Sequence, residues 1–160
     1  MRRKRISKKL EKAGAKDISG KTHVGSGNTW SKKSDFSNEN YLVEDKFTEK
    51  KYFSVSLSTL TILESQAKRI GKTPVLRFVF EPEGFKYAVL RECDCIHMLD
   101  SDIEILETCR KSIRLTKEYL RHKFTDTFSR IFIVSLLISK NKYYVLRWEE
   151  FLIDMYNFSS

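Results

Sequence analysis

The amino-acid sequence predicts one domain of mixed α/β class. The chain has 160 residues and is 41% hydrophobic, which allows a single compact core but is too little for two domains of ordinary size. Segments with helical spacing of apolar residues alternate with runs rich in β-branched and aromatic residues. No apolar run approaches the ~20 residues that span a bilayer, and no apolar segment follows the basic N-terminus. We therefore expect a soluble, cytoplasmic protein without a secretory signal or a membrane partner.

The first half of the chain is predicted to form a core over residues 7–91. Its elements are, in order, a flexible basic arm (1–6), a short basic helix (7–17), a loop with a short strand near 34–37, a strand (41–47), an amphipathic helix (54–71) and a β-hairpin (74–91). The second helix is the clearest, because Leu60, Leu63 and Ala67 share one face, a serine precedes it and Gly71 follows it.

The second half, residues 100–160, is predicted to be an extension made of a helix and a strand pair. Asp100 to Lys123 has apolar residues at helical spacing and reads as the longest helix of the chain. RIFIVSLLI and KYYVLRW then form a strand pair that leads into a short helix. The segment KYAVLREC at Lys86 resembles KYYVLRWE at Lys142. Two such copies are too few for a solenoid, and chance similarity between amphipathic strands is the alternative explanation.

Positive charge is concentrated at the N-terminus. The formal net charge is +9, and the residues after Lys33 carry as many acidic as basic side chains. An RRKR start followed by further lysines is typical of a protein that binds a polyanion. A solvated tail that aids solubility is the alternative.

The cysteines are expected to be reduced thiols. Cys93, Cys95 and Cys109 form an odd set, and nothing in the sequence indicates an oxidising compartment. Together with His97 they would supply the ligands of a Cys3His zinc site. The C-x-C spacing argues against zinc, so packing in the core is the favoured interpretation.

The strand YLVEDKF carries charges where a core strand should be apolar. In an extended segment, Leu42, Glu44 and Lys46 point to one face, and Asp45 points to the other. Such a pair is costly to bury without an ion or a substrate to compensate it. Asp35 lies upstream, close enough to sit on an adjacent strand. Asp35 and Glu44 would then offer hard oxygen ligands for Mg²⁺ or Mn²⁺, while Lys46 would orient a water and offset charge on a phosphate.

This D-x8-E-x-K pattern on a strand pair followed by an amphipathic helix resembles the PD-(D/E)XK nuclease superfamily. KLEKAGAKD, GSGN, KKSDF, LVEDKFT and GKTPVLRF are similar, in that order, to Holliday junction resolvase-type endonucleases of phage and archaea. The resemblance covers Lys8 to Phe80. It implies a restriction-endonuclease-like catalytic core, with a central mixed β-sheet flanked by helices, to which the C-terminal helix and strand pair are added.

The resemblance also implies a function and a set of site residues. It implies a homodimer that binds four-way DNA junctions and cuts two strands symmetrically by Mg²⁺- or Mn²⁺-dependent hydrolysis. Asp35, Glu44 and the backbone carbonyl of Asp45 would hold the metal, and Lys46 would serve the water. Glu11, from the first helix, would complete the site, and a pairing with Lys8 or Lys12 is the alternative explanation for it.

Two positions depart from the family pattern. Ser34 stands where the family usually has a glycine before the aspartate, and Asp45 stands where the residue is usually uncharged. Residues 100–160 do not map onto the family, so dimerisation or substrate tuning is expected there.

The predicted DNA contacts come from the basic N-terminus and the loop before Asp35. They are Arg2, Arg3, Lys4, Arg5, Lys8, Lys9, Ser26, Asn28, Lys32 and Lys33. Capping and turn formation are alternatives for Ser26 and Asn28. Two other functions remain open: a restriction-type, repair or flap endonuclease with the same site, and a catalytically silent DNA-binding module.

Overall fold

An eight-stranded mixed β-sheet forms the centre of the molecule, with the strand order β1-β2-β3-β5-β6-β10-β9-β7. The structure is a computed structural model and describes residues 2–23, 34–95, 102–105, 111–125, 132–138 and 140–158. Within these residues the helices are α1 (Arg2–Asp17), α2 (Leu57–Arg69), α3 (Lys117–Thr125) and α4 (Trp148–Phe158). The strands are β1 (Lys21–Thr22), β2 (Phe36–Ser37), β3 (Tyr41–Thr48), β4 (Tyr52–Ser56), β5 (Thr73–Phe80), β6 (Phe85–Arg91), β7 (Asp102–Ile105), β8 (Ser112–Thr116), β9 (Phe132–Ile138) and β10 (Asn141–Arg147).

Helices cover both faces of the sheet. On one face, α2, α3 and a separate two-stranded ribbon, β4 with β8, pack against residues such as Leu42 and Phe78. On the other face, α1 and α4 pack against residues such as Val43 and Val75. The predicted α/β class, with a central mixed sheet flanked by helices, is therefore confirmed. None of the described helices has the length and apolar character needed to cross a membrane.

The first helix is longer than predicted. It begins at Arg2, so residues 2–6 are helical and the predicted flexible arm over 1–6 is corrected. Arginine and lysine are good helix formers, and Arg3 lies 5.6 Å from the centre of the Phe47 ring. Ile6 and Leu10 are half-buried, which anchors this end of the helix to the sheet. The charged side chains of the first turns remain exposed.

The predicted helix over Asp100–Lys123 is wrong. The described residues of this stretch form β7, β8 and the start of α3. In β8, half-buried Ile113 and buried Leu115 alternate with exposed Ser112 and Arg114, which is the period of a strand. Pairing with β4 satisfies the backbone of β8 and fixes it as a strand.

The two halves of the chain repeat one arrangement of elements. The series β3-β4-α2-β5-β6 is followed by β7-β8-α3-β9-β10. In each series the first strand is parallel to the third, and the third is antiparallel to the fourth. The halves meet at two antiparallel pairs, β6 with β10 and β4 with β8. The predicted extension is therefore the second half of one pseudo-twofold sheet rather than an addition to a finished core.

The strand register shows where the pseudo-twofold axis lies. The similar segments KYAVLR and KYYVLR occupy β6 and β10, and Val89 lies opposite Val145. Tyr87 of β6 lies opposite Arg147 of β10. The equivalent residues are Tyr143 of β10 and Arg91 of β6, and they also lie opposite each other. Equivalent residues thus exchange places across the axis, so the sequence similarity reflects a structural repeat.

Gly14 allows α1 to lie close to the sheet. A Cβ atom at this position would lie 2.5 Å from Cζ of Phe36 and 2.9 Å from Nη1 of Arg77. Gly14→Ala is expected to lower the free energy of unfolding by about 1–2 kcal/mol, although alanine favours helices by about 1 kcal/mol. Urea denaturation followed by circular dichroism measures this change. Lys16→Ala, on an exposed position of the same helix, is the control, and a Gly14→Ala protein as stable as wild type would contradict the prediction.

Candidate active site

Glu44 and Lys46 lie side by side on β3, as the alternation predicts. Leu42, on the same face, packs in the core beneath α2. The Glu44 side chain is largely covered, with 17% of its surface exposed, and the Lys46 side chain is 45% exposed. The ammonium of Lys46 donates a hydrogen bond to Oε1 of Glu44. The pair therefore faces solvent at the edge of the α2 face.

Asp35 is fixed beside this pair by the β2–β3 ladder. It directly precedes β2, its N–H donates to the carbonyl of Val43 (3.1 Å), and its carbonyl accepts from the N–H of His23 (2.9 Å). Its carboxylate Oδ2 accepts the backbone N–H of Asp45 at 2.8 Å. The N–H and C=O of one strand residue point to the same neighbouring edge, so the Asp45 carbonyl also lies on the Asp35 side.

The carboxylates of the site repel one another, which adds to the effect of burial on the pKa of Asp35. Burial, followed by the charge of Glu44, raises the pKa of Asp35 to about 7, and the hydrogen bond from Asp45 acts against both. Burial alone would lower the pKa of Lys46, but the hydrogen bond and charge of Glu44 outweigh it and the pKa is raised. Lys46 therefore stays an ammonium, while the ionised form of Asp35 is disfavoured and would be stabilised by a cation.

Glu11 approaches the same site from α1. Its Oε1 accepts a hydrogen bond from the hydroxyl of Ser7 at 2.6 Å, and its side chain is half-buried. Its negative charge contributes to the raised pKa values of both Asp35 and Asp45. The structure thus brings Asp35, Glu44 and Lys46 together, and it places Glu11 near enough for its charge to act on Asp35.

Asp45 points to the opposite face and forms a buried ion pair that was not predicted. Its Oδ2 accepts a hydrogen bond from Nη1 of Arg77 at 2.9 Å, and these side chains are 4% and 0% exposed. Arg77 also donates to the carbonyl of Leu10 (3.3 Å) and lies 5.0 Å from the Trp148 ring centre. Burial raises the pKa of Asp45 to about 6, against the lowering effect of Arg77. The signal for this pair in the sequence is an arginine inside the otherwise apolar strand TPVLRFVF.

Ser34 is compatible with the position where the family has glycine. Outside glycine, the described residues with positive φ are Ser19 and Lys140, so Ser34 adopts an ordinary backbone conformation. Its side chain is buried and its hydroxyl donates to Oε1 of Gln66 on α2 at 3.1 Å. This contact ties the segment that carries Asp35 to the helix behind the site.

The donor set fits a magnesium or manganese ion. In the part of the chain that the structure describes, no group of three or more His, Cys, Asp or Glu side chains is arranged to hold a metal. Mg²⁺, however, is usually held by one or two carboxylates and keeps several waters. Asp35 and Glu44 provide two hard oxygen donors, and a cation between them would relieve the repulsion that raises the pKa of Asp35.

Of the two described cysteines, Cys95 packs in the core as predicted, whereas Cys93 is exposed and does not. Residues Glu92–Asp94 form a 3₁₀ turn, so Cys93 and Cys95 do not share the face of a strand. Cys93 is exposed, while Cys95 is buried in the core beneath α4, and burial raises its pKa to about 12. The interpretation of Cys95 as a core residue is confirmed. His97 and Cys109 lie outside the described residues.

The basic residues of α1 lie beside the candidate site. Arg2, Arg3, Lys4, Arg5, Lys8 and Lys9 are all exposed. The guanidinium of Arg2 lies 3.7 Å from Glu49, just beyond the end of β3, and Arg3 covers Phe47. The remaining predicted DNA contacts, Ser26, Asn28, Lys32 and Lys33, lie outside the described residues.

One edge of the sheet therefore combines a carboxylate pair, an ammonium group and an exposed basic helix. These groups are suited to hold a divalent cation and a phosphate next to each other. No protein-family model and no curated protein sequence matches this chain.

Proposed function

We propose that this protein is a metal-dependent, structure-selective DNA endonuclease of the PD-(D/E)XK type that resolves four-way junctions. The observation that carries the proposal is the juxtaposition of Asp35, Glu44 and Lys46 on the β2–β3 pair, with the Asp45 N–H bonded to Asp35. The mixed sheet, with α1 and α2 on opposite faces, supports a restriction-endonuclease-like fold.

Asp35 and Glu44 would hold Mg²⁺ or Mn²⁺, together with the Asp45 carbonyl and Glu11. When bound, the ion polarises the scissile phosphate and lowers the pKa of a coordinated water. Lys46 is an ammonium with a raised pKa, so its role is to donate hydrogen bonds. It orients the attacking water and stabilises negative charge on the phosphate, and it does not remove a proton.

The chain carries one complete motif, which favours a homodimer for paired cuts. Glu44 lies opposite Leu76 of β5, and at the equivalent register position Glu104 lies opposite Val134 of β9. Two residues after Glu104 the sequence has Leu106, where the first half has Lys46. The second half thus lacks the lysine, and symmetric cutting of two strands requires two chains.

The exposed basic face of α1 would contact the DNA backbone. Arginine and lysine on phosphates supply affinity and a steep dependence on salt, and they carry no sequence information. Selectivity for a junction would therefore come from the spacing of two sites in the dimer.

The deciding experiment is a cleavage assay on end-labelled four-way junction, splayed duplex and linear duplex of matched sequence. We expect symmetric nicks on the junction with Mg²⁺, and none with EDTA. Lys46→Ala should reduce the rate roughly a thousandfold because it removes the charge facing the phosphate. Lys68→Ala, at an exposed position on α2, is the matched control and should cut at the wild-type rate.

Other outcomes of the cleavage assay would change the proposed function. Cutting of linear or flap DNA would keep the site and replace the substrate, giving a restriction-type, repair or flap endonuclease. DNA binding without any cutting would point to a silent DNA-binding module. Full activity of Lys46→Ala would overturn the proposed role of the site.

A further inference from the structure

Two grooves lie where the β4–β8 ribbon meets the helices. The first, here called the α3 groove, has a volume of about 740 Å³ and is lined by Lys51, Tyr52, Lys117, Glu118, Arg121 and His122. The second, the α2 groove, has a volume of about 540 Å³ and is lined by Lys111, Ser112, Leu57, Ser58, Thr61 and Ile62. Both are on the face of the sheet that carries Glu44 and Lys46.

The pseudo-twofold axis relates these two grooves. In the ribbon, Tyr52 lies opposite Thr116. Ser112 is the equivalent of Tyr52 and Ser56 is the equivalent of Thr116, and these two residues also lie opposite each other. Ser56 and Thr116 both cap the helix that follows, accepting the N–H of Thr59 (3.3 Å) and Tyr119 (3.2 Å), respectively. Each lining residue of one groove therefore has its counterpart in the other.

The counterparts differ in charge, because the α3 groove has additional basic side chains and one additional carboxylate, Glu118 in place of Ser58. The α3 groove has Lys117, Arg121 and His122 where the α2 groove has Leu57, Thr61 and Ile62, while Lys51 and Lys111 are alike. Both halves fold in the same way, so the cationic side chains of Lys117 and Arg121 are not needed to build the groove. Their presence on one side points to a ligand with negative charge.

Further cations surround the aromatic ring of the α3 groove. The guanidinium of Arg114 lies 4.3 Å from the centre of the Tyr52 ring, and the ammonium of Lys50 lies 5.6 Å from it. Two carboxylates reduce the positive charge: Glu83, which pairs with Lys117, and Glu118 in the wall. The cations over the Tyr52 ring add to a groove rich in basic side chains, which is a common surface for the sugar–phosphate backbone.

The α3 groove is close to the candidate cleavage site. Lys51 follows Lys46 by five residues, which limits their separation along the chain to about 17 Å. Arg2 and Arg3 of α1 contact Glu49 and Phe47, in the segment between these two lysines. Basic groups therefore lie along the segment that follows Lys46.

We propose that the α3 groove binds the DNA backbone of an arm next to the phosphate that is cut. This inference rests on the proposed nuclease function and adds a second contact surface to the basic face of α1. The ligand is recognised by charge, so binding in the groove should be independent of sequence.

The pseudo-twofold axis provides a matched control for the test. Lys51→Glu/Arg121→Glu changes the α3 groove, and Lys111→Glu/Thr61→Glu places the same carboxylates at the equivalent positions of the α2 groove. All four positions are exposed, so both variants should fold as wild type, which thermal unfolding verifies. Lys51→Gln/Arg121→Gln is a milder second variant, to be used if the charge reversal lowers stability.

Binding of a fluorescent four-way junction is measured by anisotropy in EDTA, from about 50 to about 300 mM NaCl. We expect the α3-groove variant to bind at least about tenfold more weakly, with a salt slope smaller by about 2. The α2-groove variant should stay within about threefold of wild type. Equal losses in both variants, or none in the α3-groove variant, would overturn the proposal.

Cleavage of the same junction in Mg²⁺ separates this inference from the proposed function. Groove-dependent binding without cleavage by the wild-type protein would support the groove and overturn the nuclease. Cleavage and binding that do not depend on the groove would overturn the groove and leave the nuclease intact.

Discussion

Asp35→Asn is expected to abolish cleavage and to stabilise the fold at the same time. The amide removes a negative charge needed to hold the cation, while its oxygen can still accept the N–H of Asp45. The carboxylate of Asp35 is partly buried beside Glu44, so its ionised form opposes folding. The expected gain in the free energy of unfolding is about 2 kcal/mol at pH 8. The raised pKa of Asp35, at about 1.4 kcal/mol per pH unit, would give roughly twice this gain, and it is halved because the site is partly open to water.

The gain in stability of Asp35→Asn should increase as the pH rises. The pKa of Asp35 is about 7 in the folded protein, against an ordinary value of 3.8. Between these values the folded state binds more protons than the unfolded state, so stability falls as the pH rises and the loss is complete above pH 7. Asp35→Asn should therefore raise the melting temperature at pH 8 and leave it unchanged near pH 4.

Thermal unfolding at several pH values, without metal, measures this effect. Glu39→Gln, at an exposed position before β3, is the control and should change neither stability nor cleavage. A lower melting temperature for Asp35→Asn at pH 8 would contradict the electrostatic argument. Retained cleavage would contradict its role at the metal.

The elements that the sequence predicts well are those determined by local pattern. In β3, the alternation of Leu42, Glu44 and Lys46 against Val43 and Asp45 is independent of any other strand. The limits of α2 follow from its Ser56 cap and from Gly71, which has a φ of +64°. Such signals act within a few residues and can be recognised without the fold.

The second half was mispredicted because distant pairing decides it. Leu106, Ile113 and Leu120 recur every seven residues, which fits two turns of a helix. Ile113 and Leu115 fit a strand equally, and the ladder with β4 selects that alternative. The chain offers no local signal for this partner, since α2, the β5–β6 hairpin and β7 separate β4 from β8.

In the candidate site, too, a local pattern predicts some residues, and others depend on distant pairing. Glu44 and Lys46 are neighbours on one strand, so the sequence alone places them together. The partner of Asp45 lies 32 positions away on the parallel strand β5, opposite it in the ladder. The register of parallel strands is set by the crossover helix and the core, so Arg77 could not be paired in advance.

Arg77→Met is expected to lower the free energy of unfolding by about 3–5 kcal/mol at pH 8, the largest loss predicted for this protein. It leaves the carboxylate of Asp45 buried without its cation, and the Asp45 side chain is only 4% exposed. It also removes the hydrogen bond to Leu10 and the contact with Trp148 that hold α1 and α4 to the sheet. Urea denaturation measures the loss.

Asp45→Val/Arg77→Met should be more stable than Arg77→Met alone. The double variant leaves neither charge in the core, and well-packed apolar residues replace a buried ion pair at little cost. Valine also restores the uncharged residue that the resembling nucleases usually have between the glutamate and the lysine. A double variant as unstable as Arg77→Met would show that packing, and not charge, dominates the loss.

In the single variants, the pH dependence of the loss separates the effect of the unpaired charge from the effect of the lost contacts. Arg77 lowers the pKa of Asp45, which is about 6 with the arginine present, so its removal raises that pKa further. At pH 5 the carboxyl group of Arg77→Met is then neutral, and much of the loss seen at pH 8 should disappear. Asp45→Val leaves a guanidinium that cannot lose its proton, so the pH dependence of its loss comes only from Asp45 of the wild type, whose raised pKa makes the loss larger at pH 5 than at pH 8. Losses in Arg77→Met that are equal at pH 5 and pH 8 would assign the whole effect to the contacts with Leu10 and Trp148.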